Sequence, residues 1–217
     1  MPLLAGCVSD EPRTVALLVA DESADGAVVD VEAFTERVEA TCEECEVEVH
    51  DAGGDAADQL DQARQVIDDD AAALVIWPVQ PEEVEGLSLR DTPMVSLVRL
   101  VPGSDGFVGL ADDDPDLRDQ GSDLEAAREV VLGDRNTMTH VPARAMSEQA
   151  ADVVVGQLAD DPAPGSEEHE GVPSWLYDIT EVDLDSLTTV LVGEGVITLE
   201  ELCEGSTARR CARFGLR

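Results

Sequence analysis

A three-layer α/β fold, with a parallel sheet flanked by helices, is predicted by three observations. Val15 to Ala20, Ala72 to Val79 and Met94 to Val98 are apolar runs without alternation, the pattern of strands buried on both faces. Segments of helical period lie between them, with Val31, Phe34 and Val38 before the second strand and Leu60, Ala63 and Ile67 before the third. The 217 residues are 43% hydrophobic, enough for one sizeable core. Strands alternating with helices of this length imply βαβ units with right-handed crossovers.

The later elements follow from their punctuation. Gln80 to Leu89 contains Pro81 and Gly86, so its helix is brief, and Gly103-Ser104-Asp105-Gly106 turns the chain into a strand from Phe107 to Leu110. Pro115 suits the first turn of a helix reaching about Leu132, because that position needs no backbone donor; Gly133-Asp134 ends it. Thr137 to Val141 reads as a strand and Pro142 opens a helix from Ala143 to Leu158. Asp160 to Glu170, rich in proline and acids, reads as a surface loop. Trp175 to Ile179 is a short strand, Leu187 to Val192 a candidate second one, and Thr198 to Cys203 a short helix.

Charge narrows the partners. There are 49 acidic residues against 13 arginines, with no lysine, for a net charge of −36. Such a surface repels nucleic acid and anionic membranes. The acids are spread along the chain, as in a solvated shell that keeps a protein soluble at high salt, and added salt is expected to stabilise the fold by screening self-repulsion.

Of the five cysteines, four form local pairs, Cys42 with Cys45 and Cys203 with Cys211. Their number and spacing favour two disulfides in an oxidising compartment. A redox role for Cys42-Glu43-Glu44-Cys45 is the competing reading, disfavoured because the flanking glutamates raise a thiol pKa; zinc is third, since Cys203 and Cys211 lack the spacing of a second knuckle. Leu4-Ala5-Gly6-Cys7 resembles a lipobox, with Cys7 the lipid-modified residue. Only Met1-Pro2-Leu3 precedes it, where a signal needs roughly 7–15 apolar residues, so either the true start lies upstream or the match is accidental. No segment approaches the ~20 apolar residues of a membrane span.

Enzyme signatures are absent. There is no Gly-x-Gly-x-x-Gly, phosphate loop or Gly-x-Ser-x-Gly, and His50, His140 and His169 lie near no nucleophile pattern. Asp21-Glu22 mimics the acidic pair of a receiver domain, whose late lysine this chain cannot supply. Neither catalysis nor a cofactor is expected. In open parallel sheets, ligands sit outside the carboxyl ends of the strands. That places Asp21, Glu22, Trp77, Gln80, Arg99, Asp112 and Asp113 around one mouth, with Arg99 as a polar clamp and Trp77 as an aromatic platform suited to a sugar.

Several segments resemble a known family. NTMTHVPARAMSEQAADVVVGQLADDPAPGSEEHEGVPSWLYDI, residues 136 to 179, is similar to the returning C-terminal segment of the xylose- and ribose-type periplasmic sugar-binding proteins of ABC importers, type I. TVALLVADESADG resembles their first strand and cleft loop, EVEVHDAGGDAADQLDQARQVIDDDAAALVIWPV their second strand, helix and third strand, and TPMVSLVRLVPGSDGFVGLADDD the fourth and fifth. The resemblance implies a periplasmic-binding-protein-like single lobe over 14–205, with 14–133 as its N-terminal part and 136–205 returning. Residues 1–13 would be signal remnant and tether, and 206–217 a tail closed by a disulfide. A complete member inserts a second lobe where GSDLEAAREVVLGDR here runs straight into NTMTH. The family's Asp-Arg after the fourth strand is Val98-Arg99 here, and its Asp-Asn after the fifth is replaced by Asp112-Asp113-Asp114-Pro115.

The function implied is an extracytoplasmic, lipid-anchored solute-binding component that takes a pentose-like monosaccharide and meets an ABC permease. A lone lobe leaves one ligand face in water, and losing three or four hydrogen bonds at roughly 1 kcal/mol each weakens affinity by about two to three decades, to the millimolar range or to nothing. The rival is an interaction or structural protein that kept the stable lobe, with a second copy restoring a two-lobe shape as a homodimer.

Overall fold

The computed structural model describes residues 12–21, 28–87, 89, 91–111 and 124–216. Cys7, Glu22, Asp112, Asp113 and the start of the helix expected from Pro115 lie outside them.

Five parallel strands form the centre: β1 (Arg13–Val19), β2 (Cys45–Asp51), β3 (Ala73–Ile76), β4 (Met94–Val98) and β5 (Gly106–Leu110). β8 (Val172–Tyr177) adds to β5 in parallel, and β7 (Glu167–His169) closes that edge antiparallel to β8, giving the order β2-β1-β3-β4-β5-β8-β7. The expected loop 160–170 therefore contains an edge strand. Glu170 and Gly171 both have positive φ, 50° and 82°, which makes a two-residue hairpin whose backbone twist matches the strands it joins. β1, β3, β4 and β5 are buried from their third residue or earlier, as continuous apolar runs demand, whereas edge strand β2 alternates with glutamates.

Helices cover both faces. α1 (Val31–Thr41) and α5 (Ala143–Leu158) bury Phe34, Val38, Met146, Ala150 and Val154 against one face, while α2 (Ala56–Asp68) and α3 (Pro81–Val84) bury Ala63, Val66 and Val84 on the other. Each start has a local cause. The Asp30 carboxylate accepts from the Ala33 amide, that of Asp55 accepts from Ala57 and Asp58, and Pro81 occupies a first-turn position that needs no donor. The Asp30 amide donates to the buried Ser147 hydroxyl at 2.9 Å, tying the cap of α1 to α5. Arg37 grips Asp152 with two bonds, 2.7 and 2.9 Å, across the same helix pair.

A second, smaller unit has its own core. β6 (Thr137–His140) pairs antiparallel with β9 (Thr180–Asp183), surrounded by α4 (Leu124–Leu132), one π-helical turn (Thr188–Val192), α6 (Leu199–Leu202) and α7 (Ala208–Phe214). Ala127, Val131, Leu187, Leu191, Leu202 and Cys211 fill it. The run 187–192, expected as a strand, is helical over Thr188–Val192, and Leu187 and Leu191 fill the small core with residues of α4 and α6. His140, 2% exposed, bonds through Nε2 to the Glu194 carboxylate at 2.8 Å and so links the end of β6 to the turn after this helix. Both expected disulfides are present, Cys42–Cys45 at the end of α1 and Cys203–Cys211 between α6 and α7. The 206–217 stretch contains a helix, α7, where a tail was expected.

Candidate binding groove

The order β2-β1-β3-β4-β5 reverses between β1 and β3, where doubly wound folds place a ligand. Asp21 and Trp77 follow these two strands. Trp77 is not a platform at an open mouth: it is 9% exposed and packs in the main core with Val19, Val75 and Val98. Asp21 lies beside the turn after β2, its Oδ2 4.0 Å from where a Gly54 side chain would begin.

The open space lies one step along the sheet. A groove of about 360 Å³ runs past the ends of β3, β4 and β5, lined by Gln80, Glu82, Arg99, Phe107, His169 and Glu170 among others. Of the residues expected around the mouth, the groove therefore brings together Gln80 and Arg99. Its floor depends on a missing side chain. A Cβ at Gly109 would overlap the Phe107 ring, so glycine there lets the ring lie along β5, where His169 stacks on it with centroids 6.1 Å apart and planes 29° apart.

The polar wall is held from both sides. Buried Gln59 of α2 donates through Nε2 to the Trp77 carbonyl at 2.9 Å and accepts from the Val79 amide at 2.8 Å. Arg99 then donates through Nη1 to the Val79 carbonyl at 2.7 Å. One side chain from a helix and one from the end of β4 thus fix the segment that carries Gln80. Arg99 Nε is buried with no hydrogen-bond partner, so the guanidinium is incompletely satisfied.

Arg99 itself is placed by a strained turn. Its amide bonds to the Leu97 carbonyl at 2.7 Å across Val98, whose φ is 67°. A γ-turn of positive φ is rare, and a β-branched residue at its centre rarer, so the surrounding sheet must impose it. Val98 is 3% exposed and paired in register with Gly109, which supplies that constraint.

Sequence reading missed Gln59, Phe107 and His169. His169 follows two glutamates of low strand preference, so Gly171, able to take positive φ just before Val172, was the one turn signal near it. Gln59 had none, because a polar residue on a helix reads as solvent-facing unless its partners are known. The one tyrosine lies outside the groove lining: burial, then the charges of Asp152 and Glu148, push Tyr177 up. Among the described residues no cluster of three His, Cys, Asp or Glu side chains could hold a metal ion, and no helix is long and apolar enough to cross a membrane.

No protein-family model and no curated protein matches the chain. Solved structures do match. A carbohydrate transporter solute-binding protein from Chloroflexus aurantiacus, in complex with D-glucose, superposes with a TM-score of 0.71 at 11% identity over 87% of this chain and 98% of that one. An ABC transporter solute-binding protein from Clostridium phytofermentans with bound β-D-glucose gives 0.67 at 10% identity, over 88% and 100%. A periplasmic ribose ABC transporter protein from Conexibacter woesei gives 0.61 at 12%, over 93% and 97%. The chain has the type I periplasmic-binding fold. This fold is not confined to transport, since a putative transcription regulator from Staphylococcus saprophyticus also matches, with a TM-score of 0.55 at 9% identity.

Proposed function

We propose that this chain is the extracytoplasmic solute-binding component of an ABC sugar importer, anchored through lipid at Cys7, that holds a monosaccharide weakly in the groove beside Arg99. The observation that carries the reading is the coincidence of a sugar-receptor fold with an under-satisfied, strain-placed arginine in a groove at the carboxyl ends of β3 to β5. The expected roles follow. Arg99 pairs with ring or hydroxyl oxygens, Gln80 offers both an amide donor and a carbonyl acceptor, and the Phe107–His169 pair covers an apolar sugar face. Asp21 stands across the switch point, and Glu22, Asp112 and Asp113 remain candidates for the same mouth.

Two features support weak affinity. Every lining residue of the groove belongs to the seven-stranded unit, so a ligand is held from one side, and an open groove leaves its outer hydroxyls bonded to water. Calorimetric titration with pentoses and hexoses tests this: millimolar binding, lost by at least about tenfold in Arg99→Ala, is expected. Silence across the panel from folded protein would favour an interaction or structural protein instead, to which burial of Trp77 away from the mouth already lends support.

A further inference from the structure

The arginines of this acidic chain are almost all engaged. Among the described residues, Arg13, Arg37, Arg64, Arg135 and Arg144 hold carboxylates, and Arg99, Arg128 and Arg210 donate to backbone carbonyls. Arg209 and Arg213 do neither. They stand one turn apart on α7, on the side opposite buried Cys211, and both are exposed. Phe214, next to Arg213, is 44% exposed, more than any other large apolar side chain among the described residues. From Gly205 to Arg217 the chain has four arginines and no acid, in a protein of net charge −36.

The neighbouring helix carries the opposite sign. Glu200 of α6 and Glu204 just after it are exposed, and their carboxylates form no ion pair among the described residues, although the Cys203–Cys211 disulfide fastens α6 to α7. Exposed cations on α7 and exposed anions on and just after α6 that form no ion pair, on two helices joined by one disulfide and with an exposed aromatic ring on α7, offer both signs to a second copy. That is the arrangement an isologous two-fold interface requires, because the same surface must meet itself with its halves exchanged.

We infer that the α6–α7 face is the contact through which a second copy of this chain docks. Arg209 and Arg213 of each copy meet Glu200 and Glu204 of the other, with the two Phe214 rings at the axis. Two short helices bury less than ~1,000 Å², so the pair is weak and transient. Its salt dependence runs opposite to that of a simple ion-pair contact. Two bodies of −36 repel over a Debye length of about 30 Å at 0.01 M salt, but over only about 3 Å at 1 M, where directly touching ion pairs persist.

Sedimentation velocity from 0.01 to 1 M salt tests the docking with three proteins whose folding is checked by melting curves. Wild type is expected to be monomeric at 0.01 M and to dimerise as salt rises. R209E/R213E and E200R/E204R should each weaken the dimer by at least about tenfold. An equimolar mixture of the two variants should recover it, since the mixed pair again opposes unlike charges. Wild type that stays monomeric at every salt concentration overturns the inference, as does a dimer indifferent to R209E/R213E or a mixture that fails to recover it. Monomeric wild type that sediments with phosphatidylglycerol vesicles would assign the patch to an anionic lipid surface and overturn it equally.

Discussion

In the seven-stranded unit, Leu17, Leu74 and Leu97 are enclosed by neighbouring strands and by helices above or below, whereas in the two-stranded unit Leu187, Leu191 and Leu202 are enclosed by short helices around strands of four residues. In the larger unit the caps, the short-range Cys42–Cys45 disulfide and the Arg37–Asp152 bridge are additions to a continuous core. The smaller one is fastened at many points. A disulfide joins α6 to α7, Thr198 and Glu201 form a capping box, and Arg128 and Arg210 donate to carbonyls of Glu201 and Val131. The contrast follows from surface-to-volume scaling, because a small core removes too little apolar surface from water to offset the entropy of ordering its chain.

The largest expected effect separates the two cores. Leu17→Ala should destabilise the protein by about 3–5 kcal/mol, because strands on both sides prevent collapse into the cavity. Leu202→Ala should cost about 2–3 kcal/mol, since short helices can shift inward. Urea unfolding followed by tryptophan fluorescence decides more than the magnitudes. Both tryptophans, Trp77 and Trp175, belong to the large core. If Leu202→Ala leaves their transition in place while lowering an earlier one seen by circular dichroism, the units unfold separately; a shared shift makes them one cooperative body.

An intermediate effect compares the two clips. Closing a separation of 8 residues, Cys203–Cys211 should contribute about 2–3 kcal/mol, against about 1–2 for Cys42–Cys45 with its separation of 3. The Ser pairs in place of each disulfide, measured by thermal melting, should keep that order. A reversed order would show that the larger unit depends on its clip more than its core implies.

The smallest effect is a pH dependence of the capping box. Hydrogen bonds from the Thr198 hydroxyl and amide, 2.6 and 2.8 Å, hold Glu201 below its ordinary value of 4.5. A carboxylate with a depressed folded-state pKa contributes stability above its unfolded pKa and loses it as pH falls through the folded value. Wild type should therefore lose stability relative to Glu201→Gln on acidification from pH 6 to pH 3, and the two should differ by a constant amount above pH 6. A constant difference over the whole range would show that the box persists when protonated.

Much of the large unit was legible. β4 spans the apolar run that predicts it, because strands buried on both faces admit little but Val, Leu, Ile and Ala, and α5 starts straight after Pro142. The small unit was not: residues 187–192 have the composition of a strand, yet they enter the small core as a helical turn, a choice made by packing with α4 and α6. The site was half legible. Gln80 and Arg99 follow strand ends and line the groove, while Trp77 follows one and turns inward. Position after a strand specifies the level of a side chain along the sheet, not whether a helix on that face leaves room for it.

The sequence by itself determined the α/β class, the parallel strands, the two local disulfides and the acidic character, since each rests on periodicity, spacing or composition within a short stretch. Tertiary structure alone decided two things: that β7 folds back on β8, and that Gln59 and Arg99 both grip Val79. These depend on which distant groups come within about 3 Å of one another, a distance over which hydrogen bonds and ion pairs act and which no local pattern encodes.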